Sequence, residues 1–134
     1  MLKKHFKHEI SVIIGHYGHG NELQKCLNAL KIIKKNIKSI EFILIDNNED
    51  MLDSNLIKNN YKWIKYINKN KNFGWGGARN LAIKYASGKY IYFCDSDILI
   101  NLKSFKNIFN IIKNKVSQLF PIYLRCHGDY KQGH

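Results

Sequence analysis

Short apolar runs alternate along the chain with stretches in which apolar residues recur every three or four positions, and the two periods predict alternating strands and helices. Ile10-Ser11-Val12-Ile13-Ile14 reads as a buried first strand. After a glycine-containing segment, Leu23, Cys26, Leu27, Leu30 and Ile33 fall at helical spacing, with Asn21 as the expected N-cap. Glu41-Phe42-Ile43-Leu44-Ile45 is a second apolar run closed by Asp46-Asn47-Asn48, a short helix is expected from Ser54 to Asn60, and Trp63 to Ile67 makes a third strand. A glycine-rich turn then precedes a helix carrying Ala78, Leu81, Ala82 and Tyr85, with Ser87-Gly88 expected to stop it. Tyr90 to Cys94 is the fourth strand, and Leu102, Phe105, Phe109, Ile112 and Val116 outline a last helix. Gln118 to Leu124 has the composition of a fifth strand, although Pro121 would confine it to an edge or break it.

Strands that are apolar almost throughout belong in sheets covered on both sides, so the order predicts an α/β fold with a mostly parallel sheet and helices on both faces. Ligands of such sheets bind beyond the carboxyl ends of the strands. Gly15-His16-Tyr17-Gly18, Asp46-Asn47-Asn48 and Asp95-Ser96-Asp97 all fall on that edge. The expected organisation is a basic N-terminal segment (1–8), one domain (9–124) and a tail without pattern (125–134), with no internal repeat, low-complexity tract or linker.

At 134 residues, 45% hydrophobic and 13% aromatic, the chain suits one folded domain and is too short for two ordinary ones. Its 22 basic against 10 acidic residues give a formal charge of +12, which invites an anionic partner. Yet 20 of the basic residues are lysine, and lysine, asparagine and isoleucine together make up 56 of the 134, as an A/T-rich coding sequence would produce. The charge is therefore weak evidence for nucleic acid, and no nucleic-acid partner is expected. The same count singles out Arg79 and Arg125 as the only arginines. Cys26, Cys94 and Cys126 are far apart and odd in number, so neither a disulfide framework nor a zinc site is indicated and a cytoplasmic setting is expected. No apolar run approaches the roughly 20 residues that cross a bilayer, and the stretch after Met1 to Lys7 is too short for a signal peptide, so any membrane contact is expected to be peripheral, at the inner face.

Asp95-Ser96-Asp97 places two carboxylates two residues apart where a strand stops. In extended backbone residues i and i+2 point the same way, so both could face one point. Paired hard oxygen ligands of this kind suit Mg²⁺ or Mn²⁺ gripping a nucleotide diphosphate, while a turn or helix cap is the plainer reading of the same tripeptide. Asn72 to Asn80 is glycine-rich between a strand and a helix, where backbone N–H groups can meet phosphate, although a tight connection alone would also explain it. Gly74-x-Gly76 opens a dinucleotide fingerprint, but Arg79 stands in the third glycine position, and the Gly-x-x-x-x-Gly-Lys phosphate loop is absent. His16-x-x-His19 has no third ligand at suitable spacing, so both imidazoles are expected to face solvent or neighbour phosphate instead of binding metal.

Four stations in order, Ile10 to Ile14 followed by Tyr17, Ile45-Asp46-Asn47-Asn48, Asn72-x-Gly74-x-x-x-Ala78-Arg79-Asn80, and Gly88 to Phe93 running into Asp95-Ser96-Asp97, resemble the nucleotide-sugar-binding half of the family 2 glycosyltransferases. The resemblance covers about residues 9 to 116. It implies a Rossmann-like GT-A core, truncated at its C-terminal part, and a metal-dependent hexosyl- or N-acetylhexosaminyl-transferase. Such an enzyme would pass the sugar of a UDP-sugar to a glycan or lipid-linked acceptor with inversion, in surface polysaccharide assembly. By the same resemblance Asp46 would accept a hydrogen bond from the uracil N–H and Tyr17 would pack beside the base. Asp97 would coordinate Mn²⁺ or Mg²⁺, Asp95 would contact the ribose or share the metal, Arg79 would lie near the diphosphate or sugar, and Asn80 would help fix the loop. From the residues alone, Tyr17 is as readily a packing residue, and Arg79 a clamp on a nearby carboxylate.

Three departures from the family pattern, Gly15 for Pro or Thr, Gly18 for Asn and Glu49 for Ser or Thr, bear on nucleotide contacts more than on the fold. Members of the family usually continue well beyond this length, supplying the acceptor site and the carboxylate that takes the acceptor's proton. Asp129 and His127 in the tail are poor candidates for that base, which is expected to be missing from this chain. The alternative is a non-catalytic or split nucleotide-sugar-binding module that needs a partner for the acceptor half.

Overall fold

The computed structural model describes residues 6–115. The expected strand Gln118 to Leu124, Val116 of the last helix, His127, Asp129 and the 125–134 tail lie outside them. The elements run β1 (His8–His16), α1 (Glu22–Asn36), β2 (Ile40–Asp46), α2 (Ser54–Asn60), β3 (Ile64–Asn68), α3 (Gly74–Ile83), β4 (Gly88–Asp95) and α4 (Leu102–Lys115). The four strands form one sheet in the order β3-β2-β1-β4, and every neighbouring pair is parallel.

Strand periodicity divides the core in two. Ile10, Val12 and Ile14 of β1, Phe42 and Leu44 of β2 and Tyr92 and Cys94 of β4 point to one face, where Leu27 and Leu30 of α1, Ile57 of α2 and Phe105 of α4 cover them. The intervening residues Ile13, Ile43, Ile45 and Ile67 point to the other face, under Ala78 and Ala82 of α3. Helices therefore lie on both faces, as the unbroken apolar strands require. Asn101 caps α4, its side chain accepting from Ser104 N at 2.7 Å and its carbonyl from Phe105 N at 3.1 Å.

Two boundaries differ from expectation. The glycine-rich segment is not a loop ahead of α3 but its first turn, since the helix starts at Gly74 and ends at Ile83, short of Tyr85. Glycines are poor helix formers, and this turn is held from outside: Asn47, buried after β2, accepts from Phe73 N at 2.9 Å and donates to Gly74 O at 3.1 Å. Gly88 opens β4 instead of stopping a helix. A side chain there would meet the Ser11 amide nitrogen and lie 2.6 Å from the carbonyl carbon of Ile10, so glycine lets β4 start tight against β1. Ser11 Oγ accepts from Gly88 N at 2.7 Å and donates to Glu41 at 2.5 Å. Burial works to raise the Glu41 carboxyl, but hydrogen bonds from Ser11 and Ser87 outweigh it and hold the group below its ordinary value.

α1 leaves β1 for one face of the sheet, and α3 reaches β4 from the other, so the chain diverges between the neighbouring strands β1 and β4. Such a switch point opens a crevice beyond the strand ends, where α/β sheets bind ligands.

Candidate active site

A cleft of about 570 Å³ occupies that crevice, and Tyr17, Trp75, Asp95 and Asp97 are among the residues lining it. The carboxyl ends of β1 and β4 are in register, Gly15 facing Asp95, and Ser96 N donates to Gly15 O at 2.9 Å. Asp95 is the last residue of β4, whereas Asp97 belongs to the turn that follows, closed by Ile98 N donating to Asp95 O at 3.1 Å. The strand alternation expected to aim both carboxylates one way thus ends at Asp95, and the turn brings Asp97 to the same cleft.

Phe93 and Asp95 lie two residues apart on the β4 face that α3 covers. Arg79 of α3 spans both, its guanidinium 5.1 Å from the Phe93 ring centroid and 3.8 Å from Asp95 Oδ1. Burial pushes the Asp95 carboxyl above its ordinary value; Arg79 opposes that shift, and the charge of Asp97 adds to it. Two carboxylates lining one cleft, the inner of them disfavoured as an anion by burial, fit a hard divalent cation completed by water and phosphate oxygens. Among the described residues no group of three or more His, Cys, Asp or Glu side chains could hold a metal, so the carboxylates offered to one within that part of the chain are the pair Asp95 and Asp97.

The remaining expected site residues are placed differently. Asp46 ends β2 and is not among the residues that line the cleft; it is buried, with both oxygens engaged. Its Oδ1 accepts from Asn48 N at 3.0 Å and Asn48 Nδ2 at 2.8 Å, and its Oδ2 accepts from Tyr66 OH at 2.5 Å. Burial and the hydrogen bond to Asp46 push the Tyr66 hydroxyl well above its ordinary value. Asn48 in turn ties down the β1 loop, accepting from Gly18 N at 2.8 Å and donating to Gly18 O at 3.1 Å. Asn80 is exposed on α3 and does not line the cleft; the hydrogen bonds to the glycine turn come from Asn47 and Asn72.

His16 corrects the expectation that both histidines face solvent. Its ring is buried, 2.9 Å from Ser96 Oγ through Nδ1 and 2.9 Å from Asp53 Oδ2 through Nε2. A carboxylate only accepts, so Nε2 carries the proton of that pair and Nδ1 is left to meet the Ser96 hydroxyl. His19, half-exposed, extends the chain with Nδ1 3.1 Å from Asp53 Oδ2 and Nε2 3.0 Å from Asp50 Oδ2. The contact with Asp50 raises the His19 imidazole above its ordinary value, while a hydrogen bond from Leu52 N, then His19, lower the Asp50 carboxyl. The bracing by His16 and Asn47 and the place of Trp75 in the cleft were not anticipated from the sequence; Gly15 is the one local sign of Trp75, whose ring takes the space beside it.

A family model described as Glycosyl transferase family 2 matches residues 11–132. Over 133 residues the chain is 32% identical to the minor teichoic acid biosynthesis protein GgaB of Bacillus subtilis, covering 92% of this chain and 14% of that protein. An uncharacterized glycosyltransferase of Rickettsia conorii is 42% identical over 94 residues, 68% of this chain and 15% of its own length. The crystal structure of S. aureus TarS 1-349 in complex with UDP-GlcNAc superposes with a TM-score of 0.62 at 28% identity, over 78% of this chain and 31% of that one. The chain thus spans about a seventh of these two sequence relatives and under a third of the TarS fragment.

Proposed function

Because the chain belongs to glycosyl transferase family 2, we propose that it binds a UDP-sugar together with Mn²⁺ or Mg²⁺ and takes part in transferring the sugar, with inversion, to a glycan or lipid-linked acceptor. The observation that carries this reading is the convergence of Asp95, Asp97 and Tyr17 on one cleft at the switch point between β1 and β4. The TarS complex with UDP-GlcNAc supports the donor class. A divalent ion bound there would offset negative charge on the departing diphosphate. Asp95 and Asp97 would hold it, Arg79 would keep Asp95 ionised, and Tyr17 would pack against the base. For Asp46 to receive the uracil N–H, it would have to release Asn48 or Tyr66. The setting in this reading is surface polysaccharide assembly in the cytoplasm, with peripheral contact at the inner face of the membrane; among the described residues no helix is long and apolar enough to cross one.

The cleft gathers donor-holding groups, Asp95, Asp97 and Tyr17, and a second reading is therefore a nucleotide-sugar-binding module without turnover of its own. Calorimetry with UDP, with and without Mn²⁺, tests the first. Binding should tighten with Mn²⁺ in the wild type and become indifferent to it in Asp97→Ala; equal binding throughout removes the metal role. Metal-dependent hydrolysis of UDP-GlcNAc by the isolated chain would exclude a purely binding role.

A further inference from the structure

Trp75 is half-exposed, at 52%, yet it sits in the cleft instead of on the outer surface. Its indole lies over the backbone of β1: a Cβ added to Gly15 would stand 3.0 Å from Trp75 Cζ3 and 3.6 Å from Asp95 Oδ1. The bare backbone of Gly15 thus seats the ring beside the inner carboxylate. Added Cβ atoms at Gly74 and Gly76 would meet nothing within 4 Å beyond their chain neighbours, so the backbone on either side of Trp75 is open. Arg79, one helical turn on, faces the same way and reaches Asp95. A large apolar ring exposed in a polar cleft costs free energy unless a ligand covers it. Tyr17, 60% exposed, lines the same cleft from the loop after β1.

The geometry points to Trp75 as the platform on which the nucleoside of the donor stacks, an inference that rests on the nucleotide-sugar reading above. A ligand that combines a flat ring with a polyanion matches two exposed aromatic side chains set beside a pair of carboxylates able to hold a cation. Trp75 is seated at Gly15, inside the strand end and against Asp95, while Asp97 lies further out in the turn. In this assignment the indole stands at the nucleoside end of the ligand, with the metal-bound diphosphate toward Asp97. The transferred sugar is the competing occupant, and the test separates the two.

Trp63 is the second of the two tryptophans, packed edge-on against Phe42 at 5.0 Å, and its buried Nε1 has no hydrogen-bond partner among the described residues. Trp63→Phe keeps the ring contact, drops the unpaired donor and makes Trp75 the sole indole reporter. In that variant uridine and UDP should both quench the fluorescence, and N-acetylglucosamine should not. Trp75→Ala should weaken UDP binding about 5- to 50-fold, as loss of one base–aromatic stack does, and Trp75→Phe should stay within about 3-fold of wild type. Pyrophosphate with Mn²⁺ should bind all variants alike. Unchanged UDP affinity in Trp75→Ala, equal losses for UDP and pyrophosphate, or quenching by N-acetylglucosamine alone each overturns the assignment while leaving the nucleotide-sugar reading standing. Failure of the wild type to bind UDP overturns both. Should Trp75→Ala fail to fold, the quenching pattern and Trp75→Phe decide.

Discussion

His16 and Ser96 are 80 positions apart in the chain, yet His16 Nδ1 lies 2.9 Å from Ser96 Oγ, so the last residue of β1 grips the middle of the Asp95-Ser96-Asp97 turn. The other ring nitrogen holds Asp53 at the start of α2. One buried imidazole thus ties together the segments that follow β4 and β2. His16→Ala would leave Ser96 and Asp53 without it, and loss of such buried partners costs about 1–3 kcal/mol. Urea unfolding should show that loss. Ser96→Ala should cost less, and the double variant should cost less than the sum, because both remove one interaction. Strict additivity would mean that the contact contributes nothing.

The outer part of this chain predicts a pH window. His19 is raised by Asp50 and Asp53, so its contribution is complete below the unfolded imidazole value and is lost as pH rises through the raised folded value. Asp50 is lowered, so its contribution is present above the unfolded carboxyl value and is lost as pH falls through the depressed folded value. The contact is therefore strongest from above the Asp50 range to below the His19 range. The stability difference between wild type and His19→Asn should be largest in that mildly acidic interval and should shrink toward alkaline pH. A difference that stays flat across the His19 range would exclude the imidazole as its source.

Arg79 keeps the Asp95 carboxyl from rising as far as burial and Asp97 would take it. Cation binding needs the ionised form, so Arg79→Ala should move the acid limb of Mn²⁺-dependent UDP binding to higher pH. Arg79→Lys restores a charge but not the planar guanidinium over Phe93, and should recover only part of the shift. Calorimetric titrations over a pH series would measure the limb. An unmoved limb in Arg79→Ala would show that the ion pair at 3.8 Å does not tune Asp95.

The four strands were legible because strands buried on both faces are written as unbroken apolar runs, and α1 because Leu23, Cys26, Leu27, Leu30 and Ile33 keep a helical period that the core uses in full. The start of α3 was not legible. Local propensity makes Gly74, Gly76 and Gly77 a loop, and the helix holds there through Asn47, a contact between residues 26 and 27 positions apart. Gly88 misled for a similar reason, since its role depends on Ser11, 77 positions away. In the site, the meeting of Asp95, Asp97 and Tyr17 at the carboxyl ends of the strands was readable from the order of elements. The occupied state of Asp46 and the burial of His16 depend on partners that only the assembled strand ends bring near.

Gly15 and Gly88 should respond to alanine in opposite ways, although both lie in strands of the same sheet. At Gly88 the new methyl meets backbone, with the Ser11 nitrogen and the Ile10 carbonyl carbon held in the β1–β4 ladder. Neither can move without breaking strand pairing, so Gly88→Ala should destabilise by about 1–3 kcal/mol or more, the usual cost of overpacking. At Gly15 the methyl meets the edge of the Trp75 ring at 3.0 Å, a side chain half in solvent that can swing away. Gly15→Ala should therefore change stability little while displacing the indole from its seat. Thermal unfolding would separate the two variants, and UDP titration would complete the comparison: Gly15→Ala should bind more weakly at near-native stability. Equal destabilisation of both would mean that the Trp75 ring is held as rigidly as the ladder, and that its exposure in the cleft reflects fixed packing.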